Sequence, residues 1–211
     1  MTAALAVISA ALALGAPPER GLVLETRAGV QLQTLGGRPL ATLRGYDLAI
    51  DQAIAHEAAL RDRRGKLTAF DGRRLRAVTL RRGCRTTDRA LVVCARTIRS
   101  GGRIVALAPP GIDHWIWAER SPRRDAVLAQ WEAECETPVA YLVADGKVSA
   151  FGRESVALGW LPAGEALIHF PNGPCAGDSR SVRGIYAAVS TRKLRLLLRT
   201  SRFAQYLMWG G

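Results

Sequence analysis

Lysine is nearly missing from this 211-residue chain. It occurs only at Lys66, Lys147 and Lys193, so 27 of the 30 basic residues are arginine. Acids are few as well, 18 against those 30, which leaves a formal charge of +12 and an isoelectric point near 10.7. Such an imbalance draws a protein toward anionic partners such as nucleic acid, phospholipid headgroups or cell-wall polymers. The arginines are spread along the whole chain, the pattern of a solvated basic surface; a nucleic-acid reader concentrates its charge on one face or motif. After residue 20 no uncharged apolar run approaches the roughly 20 residues a spanning helix needs, so no transmembrane anchor is expected. Also lacking are His-Glu-x-x-His, Gly-x-Ser-x-Gly, the Walker and dinucleotide loops, and Cys-x-x-Cys. Their absence removes the recognised zincin, α/β-hydrolase, nucleotide-binding and dithiol-redox classes. The chain is accordingly read as non-enzymatic, with neither cofactor nor metal.

With 48% hydrophobic residues, the chain has enough apolar surface for a sizeable core. Thr2 to Ala16 carries no charge and places Leu5, Val7, Ile8, Leu12 and Leu14 among alanines, as in the apolar stretch of a secretion signal. Leu14-Gly15-Ala16 before Pro17-Pro18 supplies the small residues of a cleavage site, although the start lacks the usual Lys or Arg. Residues 1–16 are thus expected to be a signal peptide and residues 21–211 one domain; an N-terminal helix packed on that domain is the alternative.

A repeat is visible in the turns. Gly36-Gly37-Arg38, Asp71-Gly72-Arg73-Arg74, Gly101-Gly102-Arg103, Asp145-Gly146-Lys147 and Thr191-Arg192-Lys193 each put a basic residue after a tight turn and before a short apolar strand. Asp-Gly and Gly-Gly suit two-residue hairpins, because both central positions of a type I′ turn need φ > 0. Gly37, Gly72, Gly102 and Gly146, followed by Arg192, recur with a period averaging near 40 residues, the length of a four-stranded propeller blade. Short runs such as Ala126–Trp131, Val139–Ala144, Ala166–Phe170 and Ile185–Val189 read as strands. Helical spacing is confined to Ile50–Leu60. Leu22–Glu25, Val30–Leu35 and Pro39–Leu43 give three strands without a first, and Arg202–Trp209 gives one strand without followers. Joining the chain ends would complete a blade and remove an open edge. The expected fold class is all-β, a β-propeller of about five four-stranded blades, with four or six blades or an incomplete propeller as alternatives.

Trp117-Ala118-Glu119-Arg120-Ser121-Pro122 and Gly159-Trp160-Leu161-Pro162-Ala163-Gly164 resemble the Trp-Ser-Pro-Asp-Gly turn of TolB-like propeller repeats. The resemblance covers roughly residues 112–200; Arg123 and Arg124 stand where Asp-Gly is usual in one copy, and the units before residue 110 lack the tryptophan. It implies a propeller of a kind found in secreted or periplasmic proteins.

Cys135 follows Pro122, and Cys175 follows Pro162, by the same thirteen residues, so these cysteines occupy equivalent positions in neighbouring repeats and are candidates for a disulfide. Cys84 and Cys94, flanking Thr87–Val93, form the other candidate pair and could tie a hairpin. Free buried thiols are the alternative. An even cysteine count with this symmetry agrees with an oxidising compartment, secreted or periplasmic. His169, between Ile168 and Phe170, reads as a packed strand residue. Asp113, His114 and Glu119, near an inner strand, are the polar candidates for a ligand site in a central channel. Glu132, Glu134 and Glu136 read as a solvated loop, and Trp115, Trp117, Trp131, Trp160 and Trp209 as packing between blades. The leading function is an extracytoplasmic scaffold that binds a protein or a cell-envelope component. The alternatives are an anionic-polymer binder acting through its arginine surface, and a propeller enzyme with paired carboxylates acting on carbohydrate.

Overall fold

Runs of three to seven residues, rich in branched, aromatic and small side chains and interrupted by Gly, Asp or Pro, fold as antiparallel strands joined by tight turns. The computed structural model describes residues 20–49, 57–78, 83–88, 91–110, 115–131, 138–171 and 183–208; among them are strands and turns but no α-helix. The chain divides into two compact units, residues 1–80 with 202–211 and residues 81–201.

The first unit holds two sheets. β1 (Arg20–Thr26), β2 (Gly29–Gln33) and β3 (Pro39–Leu43) join β20 (Ala204–Met208) in the order β20-β1-β2-β3. β4 (Tyr46–Leu48), β5 (Ala58–Asp62), β6 (Leu67–Phe70) and β7 (Leu75–Ala77) make the other. The second unit holds three sheets, each a run of consecutive strands. They are β8 (Arg85–Asp88), β9 (Leu91–Cys94), β10 (Thr97–Ser100) and β11 (Arg103–Leu107); β12 (Trp115–Arg120), β13 (Ala126–Trp131), β14 (Val139–Ala144) and β15 (Lys147–Arg153); and β16 (Val156–Trp160), β17 (Ala166–Phe170), β18 (Gly184–Ala188) and β19 (Leu194–Arg199). The fold class is thus the expected one, a β-propeller fold of five four-stranded blades. The joining of the chain ends is present too: Leu22 pairs with Tyr206 and Val23 with Gln205, and the Glu25 N–H donates to the Phe203 carbonyl at 3.0 Å.

The helical spacing over Ile50–Leu60 does not produce a helix where the segment is described. Ala58, Ala59 and Leu60 are strand residues paired with Phe70, Ala69 and Thr68, so cross-strand partners override local preference. Residues 50–56 lie outside the described residues, as do the proposed signal segment, Cys135, Cys175, Glu132, Glu134, Glu136 and Trp209.

The second strand of most sheets is covered on both faces, which explains why these strands read as apolar runs instead of alternating. β13 is buried at every position, and β17 at all but Phe170. The fourth strands β7 and β19 are mostly open to solvent. Small side chains let one sheet approach the next: Ala58, Ala59, Ala69, Ala118, Ala129, Ala140 and Ala166 are all fully buried. The hairpin turns have the backbone their residues demand, with Gly101 and Gly102 at φ 55° and 81° and Asp145 and Gly146 at 52° and 69°. A side chain on Gly29 would place its Cβ 2.3 Å from the Leu43 carbonyl, so only glycine fits where β2 leaves its turn.

Cys84 and Cys94 form a disulfide, with α-carbons 4.2 Å apart. Pairing of Arg85 with Val93 brings the two cysteines opposite each other at the end of the β8–β9 hairpin. The bond ties that hairpin as the sequence suggested.

In the first unit, one side chain fastens the two sheets together. Gln205 on β20 accepts the Ala59 N–H at 2.6 Å and donates to the Ala49 carbonyl at 3.1 Å. Ala59 and Ala49 are buried, so removing the amide strands a donor and an acceptor away from water. Gln205→Ala should therefore destabilise the protein by about 2–4 kcal/mol, read as a lower urea midpoint; an unchanged midpoint would show that the amide does not join the sheets.

Candidate ligand-binding surface

Of the three residues expected to form a central ligand site, Asp113 and His114 lie outside the described residues. Glu119 sits on β12 opposite Leu128, and it is buried. Its backbone serves the packing of the sheets, since the Glu119 carbonyl accepts the indole N–H of Trp160 at 3.0 Å. The preceding carbonyl, of Ala118, accepts the Thr87 hydroxyl at 2.5 Å. β12 thus receives one bond from the β8–β11 sheet and one from the β16–β19 sheet, and it anchors the second unit.

Further bonds between elements come from residues that sequence reasoning passed over. The Gln130 side chain accepts the Ala157 N–H at 2.6 Å and donates to the Trp131 carbonyl at 2.9 Å. The buried Ser155 hydroxyl accepts from the Ala140 N–H at 2.9 Å and donates to the Gly152 carbonyl at 2.6 Å. The tryptophans take the packing role expected of them: Trp115, Trp117, Trp131 and Trp160 are all buried, and Trp115 meets Tyr141 edge to face at 5.4 Å.

At the end of the second unit where β12 turns into β13, residues 120–125 reach across to both neighbouring sheets. Arg120, the last residue of β12, donates to the Ser100 hydroxyl at 2.9 Å, beside the β10–β11 turn, and pairs with Asp125 at 3.4 Å. Arg123 donates through Nε to the Pro162 carbonyl at 2.7 Å. Arg124 donates to the Val189 carbonyl at 2.6 Å and lies over the Trp160 ring, with its guanidinium carbon 5.0 Å from the ring centre. Burial pushes the pKa of this half-buried guanidinium down from its usual value. Arg123 and Arg124 thus bond this turn to the next blade.

The turns between third and fourth strands form a second set. Arg38, Arg73, Arg74, Arg103, Lys147, Arg192 and Lys193 are all exposed there. Their backbones are fixed: the Asp71 carboxylate accepts the N–H groups of Arg73 and Arg74 at 2.7 Å, and the Ser190 hydroxyl accepts those of Arg192 and Lys193 at 3.4 and 3.2 Å. The described ion pairs lie elsewhere, Arg76 with Glu57, Arg120 with Asp125 and Arg195 with Glu165. The geometry suits capture of anionic groups on rigid hairpins. No group of three or more His, Cys, Asp or Glu side chains converges as a metal site among the described residues.

His169 occupies the strand position foreseen for it, in β17 between Val156 and Ile185, and is wholly buried. Neither ring nitrogen has a well-formed hydrogen bond, although the Thr200 backbone favours the charged ring. Desolvation dominates and pushes its pKa down to about 4. Comparison with protein-family models, with curated proteins and with solved structures returned no match.

Because His169 is neutral when folded but titrates near 6.5 when unfolded, the unfolded chain binds the extra proton between these values. Stability is then fully present above about pH 6.5, and about 3 kcal/mol of it is lost as the pH falls toward 4. Denaturant unfolding across that range should show this slope in the native protein and a flatter one in His169→Leu; parallel slopes would mean that His169 does not carry the acid sensitivity.

Proposed function

We propose that the protein is a non-catalytic, extracytoplasmic scaffold that holds a protein or cell-envelope component on the turns at the ends of its blades. One observation carries this reading: each of the five sheets presents an exposed cation beside the turn between its third and fourth strands, on a hairpin held by its own hydrogen bonds. A fixed display of this kind loses little entropy on binding. It favours a partner whose contact face is anionic, which brings the anionic-polymer alternative under the same surface chemistry.

Three features support a place outside the cytoplasm. The Cys84–Cys94 disulfide persists best in an oxidising compartment. The turn around Ser121-Pro122 and Trp160–Gly164 resembles TolB-like repeats of secreted or periplasmic proteins, and the uncharged stretch from Thr2 to Ala16 has the composition of an export signal. No helix among the described residues is long and apolar enough to cross a membrane.

Cross-linking in the native envelope fraction, followed by mass spectrometry, tests both parts. The expected result is a chain beginning after Ala16, with Cys84 and Cys94 joined, and a saturable cross-linked partner. Recovery of reduced cysteines and an intact Met1 in the cytosol would overturn the compartment, and failure to capture any specific partner would overturn the scaffold.

A further inference from the structure

Cations and exposed aliphatic side chains meet at one end of the second unit. Antiparallel strands alternate direction, so the β12–β13 and β14–β15 turns lie at the same end of their sheet. Arg120 links that end to Ser100 beside the β10–β11 turn, while Arg123 and Arg124 link it to Pro162 in the β16–β17 turn and Val189 at the β18–β19 turn. Three consecutive sheets therefore hold their turns in one framework. From it project Arg103, Lys147, Arg192 and Lys193, all exposed and without a carboxylate partner among the described residues. Of the acids at this end, Asp125 pairs with Arg120 and Glu165 pairs with Arg195, while the exposed Asp145 stands in the same turn as Lys147, so the cations outnumber the acids left over.

Exposed large apolar side chains are rare in the described residues, and three of the four lie at this same end. Ile104 directly follows Arg103, Leu194 directly follows Lys193, and Val189 begins the turn that carries Arg192; their exposures are 52%, 38% and 47%. The fourth, Leu107, is at the far end of β11. None of the four is aromatic, and no aromatic residue among the described ones is fully exposed, so the surface has no platform on which bases could stack. A cation beside an aliphatic side chain, repeated on adjacent sheets, matches a surface that is charged outside and hydrocarbon beneath. Each Lys or Arg near such a surface strengthens attachment, while aliphatic side chains enter the headgroup boundary.

We propose that this end of the second unit docks on an anionic phospholipid surface, with Arg103, Lys147, Arg192 and Lys193 meeting the phosphates and Ile104, Val189 and Leu194 entering the interface. The proposal rests on the scaffold reading above and names the envelope component that one face of it contacts.

Co-flotation of the full chain with vesicles tests it, using phosphatidylglycerol–phosphatidylcholine vesicles, pure phosphatidylcholine vesicles, and a mixed-sequence DNA duplex as competitor. Binding is expected to the anionic vesicles only and to weaken as salt rises. Replacing Arg103, Lys147, Arg192 and Lys193 by Gln should weaken it roughly fivefold for each cation removed. Ile104→Ser with Leu194→Ser should weaken it on the order of tenfold at unchanged charge. Arg27→Gln, Arg44→Gln and Arg64→Gln, which remove three cations from exposed turns of the first unit, should leave binding intact. Circular dichroism of each variant confirms that it is folded. The proposal is overturned if anionic vesicles are not bound, if the aliphatic substitutions have no effect while DNA competes fully, or if the first-unit substitutions weaken binding as much as the second-unit ones. Any of these results would leave a protein partner captured by cross-linking untouched, so failure of the lipid surface is separable from failure of the scaffold.

Discussion

Each sheet here is only four strands wide and must be covered on both faces, and the bonds that hold one sheet against the next sustain everything else. Hydrophobic contact supplies the attraction but no register. Register comes from a few buried or half-buried polar side chains aimed at the backbone of a neighbouring sheet: Thr87 and Trp160 on successive carbonyls of β12, Gln130 on Ala157, and Gln205 on Ala59 and Ala49. Burial makes each of these groups costly to leave unpaired, so the sheets settle where all are satisfied. Buried alanines permit a close approach of the sheets.

The arginine content serves two distinct ends that composition alone would merge. Arg120, Arg123 and Arg124 give donors to groups of the protein itself, a hydroxyl and main-chain carbonyls of adjacent sheets. Arginine suits this because its planar, weakly hydrated fork tolerates partial burial against an indole ring better than an ammonium group does. The cations beside the third-to-fourth-strand turns carry no such duty and face solvent. The net charge of +12 is thus partly mortar and partly display.

The architecture was legible because turn chemistry is local. Asp145-Gly146 and Gly101-Gly102 adopt the positive φ values that their residues favour, and the near-40-residue spacing of such turns marked out the blades. The pairing of β20 with β1 followed from counting strands at the two ends, and the Cys84–Cys94 bond from the hairpin between them. Less legible were the fastenings between sheets, since nothing local tells a glutamine which backbone it will meet. A lone amide inside an apolar strand, as in Ala126–Trp131 or Ala204–Met208, was the available signal: a polar group placed there needs a buried partner. The acidic candidates rest on their nearness to an inner strand, and of Asp113 and Glu119 only Glu119 falls among the described residues. The basic turns were visible as a repeated residue type, but the union of those in the second unit with Ile104, Val189 and Leu194 depends on which turns share an end of the sheets.

The sheet containing β1 also bears on how the chain reaches its native state. Leu22 and Leu24 pair with Tyr206 and Ala204, so one edge of β1 waits until residues 204–208 have been made. Contacts so distant along the chain form slowly, because the intervening loop must first be organised. The other four sheets are built from consecutive strands and can pair as they emerge, whereas this one stays incomplete until residues 204–208 reach β1.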